Sequence, residues 1–140
     1  MIKKFFITII ILFLTGNALS AKSKYFEEGV NLFNKKKLED AKFKFEKDIV
    51  FNPKSEMSYL YLSKIFNKQE KKNLEEQNLN TVILLNPKNE EAIYNLAKLK
   101  LALSDYQKSK ELNKNLRLIC DNFCSQSDKL KTEIENLSKK

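Results

Sequence analysis

The chain has no histidine, no tryptophan, and only two glycines, two prolines and two cysteines among its 140 residues. Each scarcity removes a class of answer. Without histidine there is no imidazole base, no His-activated serine or cysteine, and no usual His-containing metal site. So little glycine and proline cannot furnish the special dihedrals of many tight hairpins, so long helices are expected. Arg117 is the only arginine, whereas nucleic-acid readers rely on arginine for bidentate and stacked contacts. No Gly-rich phosphate loop, GxSxG elbow or metal-ligand spacing occurs. The carboxylate pairs Glu27-Glu28, Glu75-Glu76 and Glu90-Glu91 lie on charged helical runs. Adjacent helical residues diverge by ~100° and do not converge as an acid/base pair. An enzyme, a cofactor, a metal centre and a nucleic-acid partner are therefore not expected.

What the chain does have is lysine. The formal net charge is +8, yet lysine alternates with glutamate in KKKLED and KQEKKNLEE, the pattern of solvated helix faces. A net positive surface also favours association with anionic lipid or polyanions. The length fits one domain.

The N-terminus differs from the rest. Lys3 and Lys4 precede the uncharged run FFITIIILFL, Thr15-Gly16-Asn17 break it, and Ala18-Leu19-Ser20 supply small residues. This is the layout of a secretory signal peptide over residues 1–20, cut after Ser20 or Ala21. The alternative is an uncleaved N-terminal anchor, since the run is short of the about 20 residues of a span but can extend through Ala21. The expected location is the periplasm or cell envelope, with secretion as a variant and inner-membrane anchoring if residues 1–20 stay. An oxidising compartment favours a disulfide between Cys120 and Cys124, the alternative being two free thiols buried in a seam. Such a bridge is strained inside an unbroken helix and eased if the helix ends at Asp121-Asn122.

The chain also repeats itself. Residues 51–56 read FNPKSE and residues 85–90 read LNPKNE, an offset of 34. The same offset carries Phe45 onto Leu79, Tyr25 onto Tyr59 and Ile93, and Gly29 onto Ser63 and Ala97. Within the first unit, Tyr25, Gly29, Leu32 and Phe33 share one helical face. Leu38, Ala41, Phe45 and Ile49 form a second face, which ends at Asn52-Pro53 because proline keeps its predecessor out of the helix. Ser55 and Asn89 are placed to cap the helices that follow. The small residue on each first helix allows the second to approach closely, and stacking of successive hairpins supplies the core.

These units resemble tetratricopeptide repeats, in which a ~34-residue helix pair recurs. Gly29, Ala41, Phe45 and Pro53 hold the family's positions in GVNLFNKKKLEDAKFKFEKDIVFNP. The resemblance covers residues 22–121 as three units, about 22–54, 55–88 and 89–121. Departures are Asp48, Glu75 and Ser109 at small-residue positions, and Asp121 where the third unit lacks its proline. It implies an all-α fold of antiparallel hairpins stacked as a short right-handed superhelix, closed by a C-terminal capping helix over residues 125–140. Leu130, Ile134 and Leu137 give that helix one apolar stripe, with a capping-box start at Ser125 to Asp128.

The resemblance also implies a non-catalytic adaptor or scaffold that holds a peptide or helix of another protein in the groove formed by the first helices. Carried over, the groove candidates are Phe26, Val30 and Phe33 from the first unit. The second unit offers Leu60, Tyr61, Lys64 and Asn67, and the third Tyr94, Asn95, Lys98 and Leu101. This set suits an apolar or aromatic segment carrying acidic groups that face Lys64 and Lys98. Some of these aromatics are equally explained as packing between units. Rival roles are a lysine-rich binder of an anionic membrane surface or polyanion, and a homo-oligomeric structural protein.

Overall fold

The structure is a computed structural model describing residues 23–138, so the expected signal peptide or anchor over residues 1–20 lies outside the described residues. Among the described residues seven helices follow one another: α1 (Lys24–Asn34), α2 (Leu38–Phe51), α3 (Glu56–Lys68), α4 (Lys72–Leu85), α5 (Glu90–Ala102), α6 (Tyr106–Ile119) and α7 (Cys124–Leu137). There is no strand among the described residues. Helices pair as α1–α2, α3–α4 and α5–α6, each pair packs on the next, and α7 covers α6 and touches α5.

The three hairpin turns are built alike, and without glycine. Lys36, Glu70 and Ser104, again 34 residues apart, take the left-handed conformation with φ near 60°. The amide of Lys37 donates to the Leu32 carbonyl at 3.0 Å and that of Lys36 to Phe33 at 2.9 Å. Lys71 to Phe66, Glu70 to Asn67, Asp105 to Lys100 and Ser104 to Leu101 repeat the arrangement at 2.9–3.0 Å. Each turn is thus a Schellman cap, whose paired bonds satisfy otherwise orphaned helix carbonyls and offset the cost of a left-handed non-glycine residue.

The opposite ends carry the proline turns. There Asn89 accepts from the Ala92 amide at 2.9 Å, the cap expected of it. Ser55 does occupy the N-cap of α3 but makes no backbone cap, and its hydroxyl donates to Ser58 at 3.1 Å instead. The capping box expected at Ser125 is not formed. Helix α7 starts earlier, at Cys124, because Glu90 takes up the amides of Asp121, Asn122 and Phe123 at 2.8–2.9 Å. One repeat earlier, Glu56 accepts from Asn86 at 3.1 Å and from Asn89 at 3.4 Å. The acid after each N-cap therefore ties its own repeat to the next turn.

Two apolar clusters fill the interior, and α3 contributes to both. Phe26, Ala41, Phe45, Leu62, Ile65 and Phe66 form the first. Leu60 joins Leu79, Val82, Leu96, Leu112, Leu116, Leu130 and Ile134 in the second. The three departures at small-residue positions are all accommodated in buried polar pairings. The carboxylate of Asp48 accepts from the hydroxyls of Ser23 and Ser58, Glu75 accepts from Asn67 at 3.0 Å, and Ser109 donates to the Ala97 carbonyl at 2.8 Å. Helix α7 is fastened likewise: Asn113 donates to the Ser127 carbonyl at 3.0 Å and accepts from its hydroxyl at 2.7 Å.

Candidate functional site

Stacking leaves a groove of about 820 Å³ along the first helices of the hairpins. Phe33 of α1 closes one end, α3 supplies Ser63, Lys64, Asn67 and Lys68, and α5 supplies Glu91, Asn95, Lys98, Leu99 and Ala102. The α3–α4 turn and the start of α4 add Glu70, Lys72 and Glu75. Leu99 and Ser63 are buried, so Leu99 with Phe33 supplies an apolar part of the lining and the lysines and glutamates a charged one.

Of the eleven groove residues expected, Phe33, Lys64, Asn67, Asn95 and Lys98 line this hollow. Phe26, Leu60 and Leu101 do not: all three are buried in the core. A helix turns ~100° per residue, so an assignment off by one position exchanges groove for interior. Val30 packs against the first cluster. Tyr61 is half-buried and committed, stacked on Phe45 at 4.9 Å and meeting the edges of Phe33 at 5.2 Å and Phe26 at 5.8 Å. Tyr94 is tilted against Phe123 at 5.5 Å. Both tyrosines are seam packing with one face under a lysine, Lys64 at 4.9 Å and Lys98 at 5.8 Å.

The groove's charges are not all free. Lys64 pairs with Glu91 at 2.8 Å, bridging α3 to α5 across the groove. Lys68, Lys72 and Lys98 have no ion-pair partner among the described residues, and the side-chain amide of Asn95 makes no hydrogen bond there. The lining therefore presents three available ammonium groups and an amide. Lys68, Lys72, Glu75 and Glu91 were not foreseen. Lys72 and Glu75 belong to α4 rather than to a first helix, and a turn that brings the next helix's first residues over the groove leaves no mark in the helical periodicity.

Glu75 has a titration consequence. Burial raises its pKa above the ordinary 4.5, against the opposing hydrogen bond from Asn67 and the charge of Lys72. A carboxyl with a raised folded pKa binds more protons folded than unfolded, so stability falls as pH rises from the unfolded value through the folded one. Glu75→Gln keeps an oxygen for the Asn67 amide and removes that loss. We expect its Tm to exceed the parent's by a few degrees at about pH 7 and to match it below about pH 4, as followed by circular dichroism across pH.

Cys120 and Cys124 flank the α6–α7 turn with Cα atoms 5.3 Å apart and their sulfurs joined. Helix α6 has already ended at Ile119, so no helix is bent to bring them together. Arg117 and Asp128 pair across the same junction.

No protein-family model and no curated protein sequence matches the chain. Solved structures do. The first TPR of Spaghetti (RPAP3), bound to the HSP90 peptide SRMEEVD, is 16% identical, with 83% of this chain and 91% of that one covered at a TM-score of 0.74. The TPR2B domain of yeast Sti1, in a complex with pHsp70, is 18% identical and covers 82% and 99% at 0.75. The Yersinia enterocolitica type III secretion chaperone SycD, with a peptide of the translocator YopD, is 16% identical and covers 84% and 93% at 0.74. The chain has the all-α tetratricopeptide-repeat fold, as the resemblance of its units implied.

Proposed function

We propose that the chain is a non-catalytic adaptor that binds a peptide or helix of another protein in the groove between α3 and α5, and that it does so after export, in the cell envelope. The observation that carries the binding reading is the groove's lining, where Lys68, Lys72 and Lys98 make no ion pair and the side-chain amide of Asn95 makes no hydrogen bond among the described residues. Ammonium groups held in a concave site favour a ligand bearing acidic side chains, while the apolar lining at Phe33 and Leu99 takes an aliphatic or aromatic residue between them. The sequence expectation of acids facing Lys64 and Lys98 shifts accordingly. Lys64 is occupied by Glu91, so Lys72 and Lys98 are the primary contacts. Three of the similar solved structures are complexes with peptides or partner proteins, which supports the reading. Export rests on residues 1–20, and in an oxidising compartment the Cys120–Cys124 bridge persists and clips α7 to α6.

The test is site-specific photocrosslinking in the full chain. A photoreactive residue replacing Asn95 is expected to capture discrete protein partners, and one replacing the exposed Lys54, in the proline turn at the opposite end of the hairpins from the hollow, is expected to capture none of them. Lys72→Glu with Lys98→Glu should lower the Asn95 yield by about tenfold or more. A yield indifferent to both charge reversals, or the same captures from Lys54, would remove the groove from the mechanism.

A further inference from the structure

The second helices carry a regularity that the groove does not use. Val50, Leu84 and Leu118 are 73%, 81% and 76% exposed, and they are spaced by the repeat length of 34 residues. Isolated exposed leucines are ordinary on any protein surface. Three apolar residues at the same register of three stacked hairpins are different. They form a row along the stack, at the end where α2, α4 and α6 finish and the chain turns toward the next repeat. None of them lines the groove.

The row is widest at the first repeat. Phe43, Lys47 and Val50 follow one another at i, i+4 and i+7 on α2, so they share a face. The Phe43 ring is exposed, and Lys47 Nζ sits 4.8 Å from its centroid. Phe51 is 70% exposed and stacks on Tyr25 at 5.5 Å, and Lys47 also lies 5.5 Å from the Tyr25 ring. Cations border the whole row. Lys54 and Lys88 stand four residues beyond Val50 and Leu84 in the proline turns, and Lys114 stands one turn before Leu118, all exposed. The nearby acids are largely engaged: Glu46 pairs with Lys42 at 3.6 Å, Glu56 accepts from Asn86 and Asn89, and Glu90 accepts from the amides of Asp121, Asn122 and Phe123, which leaves Asp121 beside the row.

We propose that this edge docks on an anionic phospholipid surface, with Val50, Leu84 and Leu118 entering the interface while Lys47, Lys54, Lys88 and Lys114 meet the headgroups. The chemistry selects lipid. Aliphatic side chains flanked by long, flexible ammonium groups suit a surface whose outer layer is negative and whose next layer is hydrocarbon. Each lysine near such a surface adds to binding, whereas a protein partner would call for shape complementarity, which a row of three separated side chains does not provide. The groove faces elsewhere, so an adaptor seated on this edge keeps its peptide site open.

Because the N-terminal run could itself associate with lipid, the readout must report on position. In the full chain, an environment-sensitive fluorescent residue replaces Leu84 or, as reference, Leu103, which lies at the opposite end of the hairpins in the α5–α6 turn. Vesicles of phosphatidylcholine with and without phosphatidylglycerol are then added. The probe at position 84 is expected to shift to the blue with the anionic vesicles alone, and the probe at 103 to stay unchanged. Lys54→Glu with Lys88→Glu should weaken the response at 84 by about tenfold, and Val50→Asn with Leu118→Asn by a similar factor. These side chains are exposed, so circular dichroism should show the fold intact. Equal responses at 84 and 103, a response to neutral vesicles, or one insensitive to both variants would overturn the proposal. A shift at 84 that needs no lipid and grows with protein concentration would overturn it in favour of a second copy of the chain. Neither result bears on crosslinking from Asn95.

Discussion

Phe45→Ala is expected to lower stability by about 3–5 kcal/mol, a large part of the about 5–15 kcal/mol that holds a typical domain together. The ring is wholly buried, stacks on Tyr61 at 4.9 Å, tilts against Phe26 at 5.9 Å, and lies directly over Gly29. Its removal leaves a cavity bordered by the rings of Phe26 and Tyr61 and by the α1 backbone at Gly29, and stacked aromatic planes do not collapse readily into such a space. The loss should also be local. Stacked repeats derive their stability from neighbours, and Phe45 belongs to the first cluster while Leu96, Leu112 and Leu116 belong to the second. Hydrogen exchange should therefore show α1 and α2 losing protection while α5 to α7 retain most of theirs. A uniform loss over all seven helices would mean that the two clusters act as one cooperative unit.

How much of this could be read from the residues follows from what periodicity encodes. The hairpins were legible because Pro53 and Pro87 stop helices and because Gly29, Ser63 and Ala97 recur at one position. The turns were less so. Lys36, Glu70 and Ser104 take left-handed dihedrals that a sequence signals through glycine or asparagine, and none of the three is either. At the groove, Phe33, Lys64, Asn67, Asn95 and Lys98 do line the hollow, whereas Phe26, Leu60 and Leu101 were assigned to a surface they do not reach. An apolar residue on a first helix suits the seam as well as the groove, and only the packing angle decides between them. Glu75 and Glu90 illustrate the other limit. Both stand in charged runs that read as solvated. One is buried beside Asn67 and the other accepts three backbone amides from a turn more than thirty residues away, partners that no local pattern names.

Gly29→Val is the second large effect, and the reason lies in the same ring. A Cβ added at Gly29 would stand 2.7 Å from Phe45 Cε1, 2.9 Å from Cδ1 and 3.0 Å from Cζ. Phe45 cannot retreat easily, since Tyr61 is stacked against it and the residue is fully buried. Two terms oppose each other. Replacing glycine within a helix gains about 0.5–1 kcal/mol from reduced backbone freedom in the unfolded chain. Overpacking a filled seam costs typically ~1–3 kcal/mol, and valine adds two γ-methyl groups beyond the clashing Cβ. We expect Gly29→Val to lose about 2–3 kcal/mol and Gly29→Ala about 1 kcal/mol, both measured by urea denaturation. A smaller side chain at position 45 should relieve the clash, so Gly29→Ala combined with Phe45→Leu should lose less than the sum of the two single changes, with a coupling of about 1 kcal/mol. Additive losses, or a Gly29→Ala chain more stable than its parent, would show that the ring moves aside and that helix spacing in the first repeat is not set by glycine.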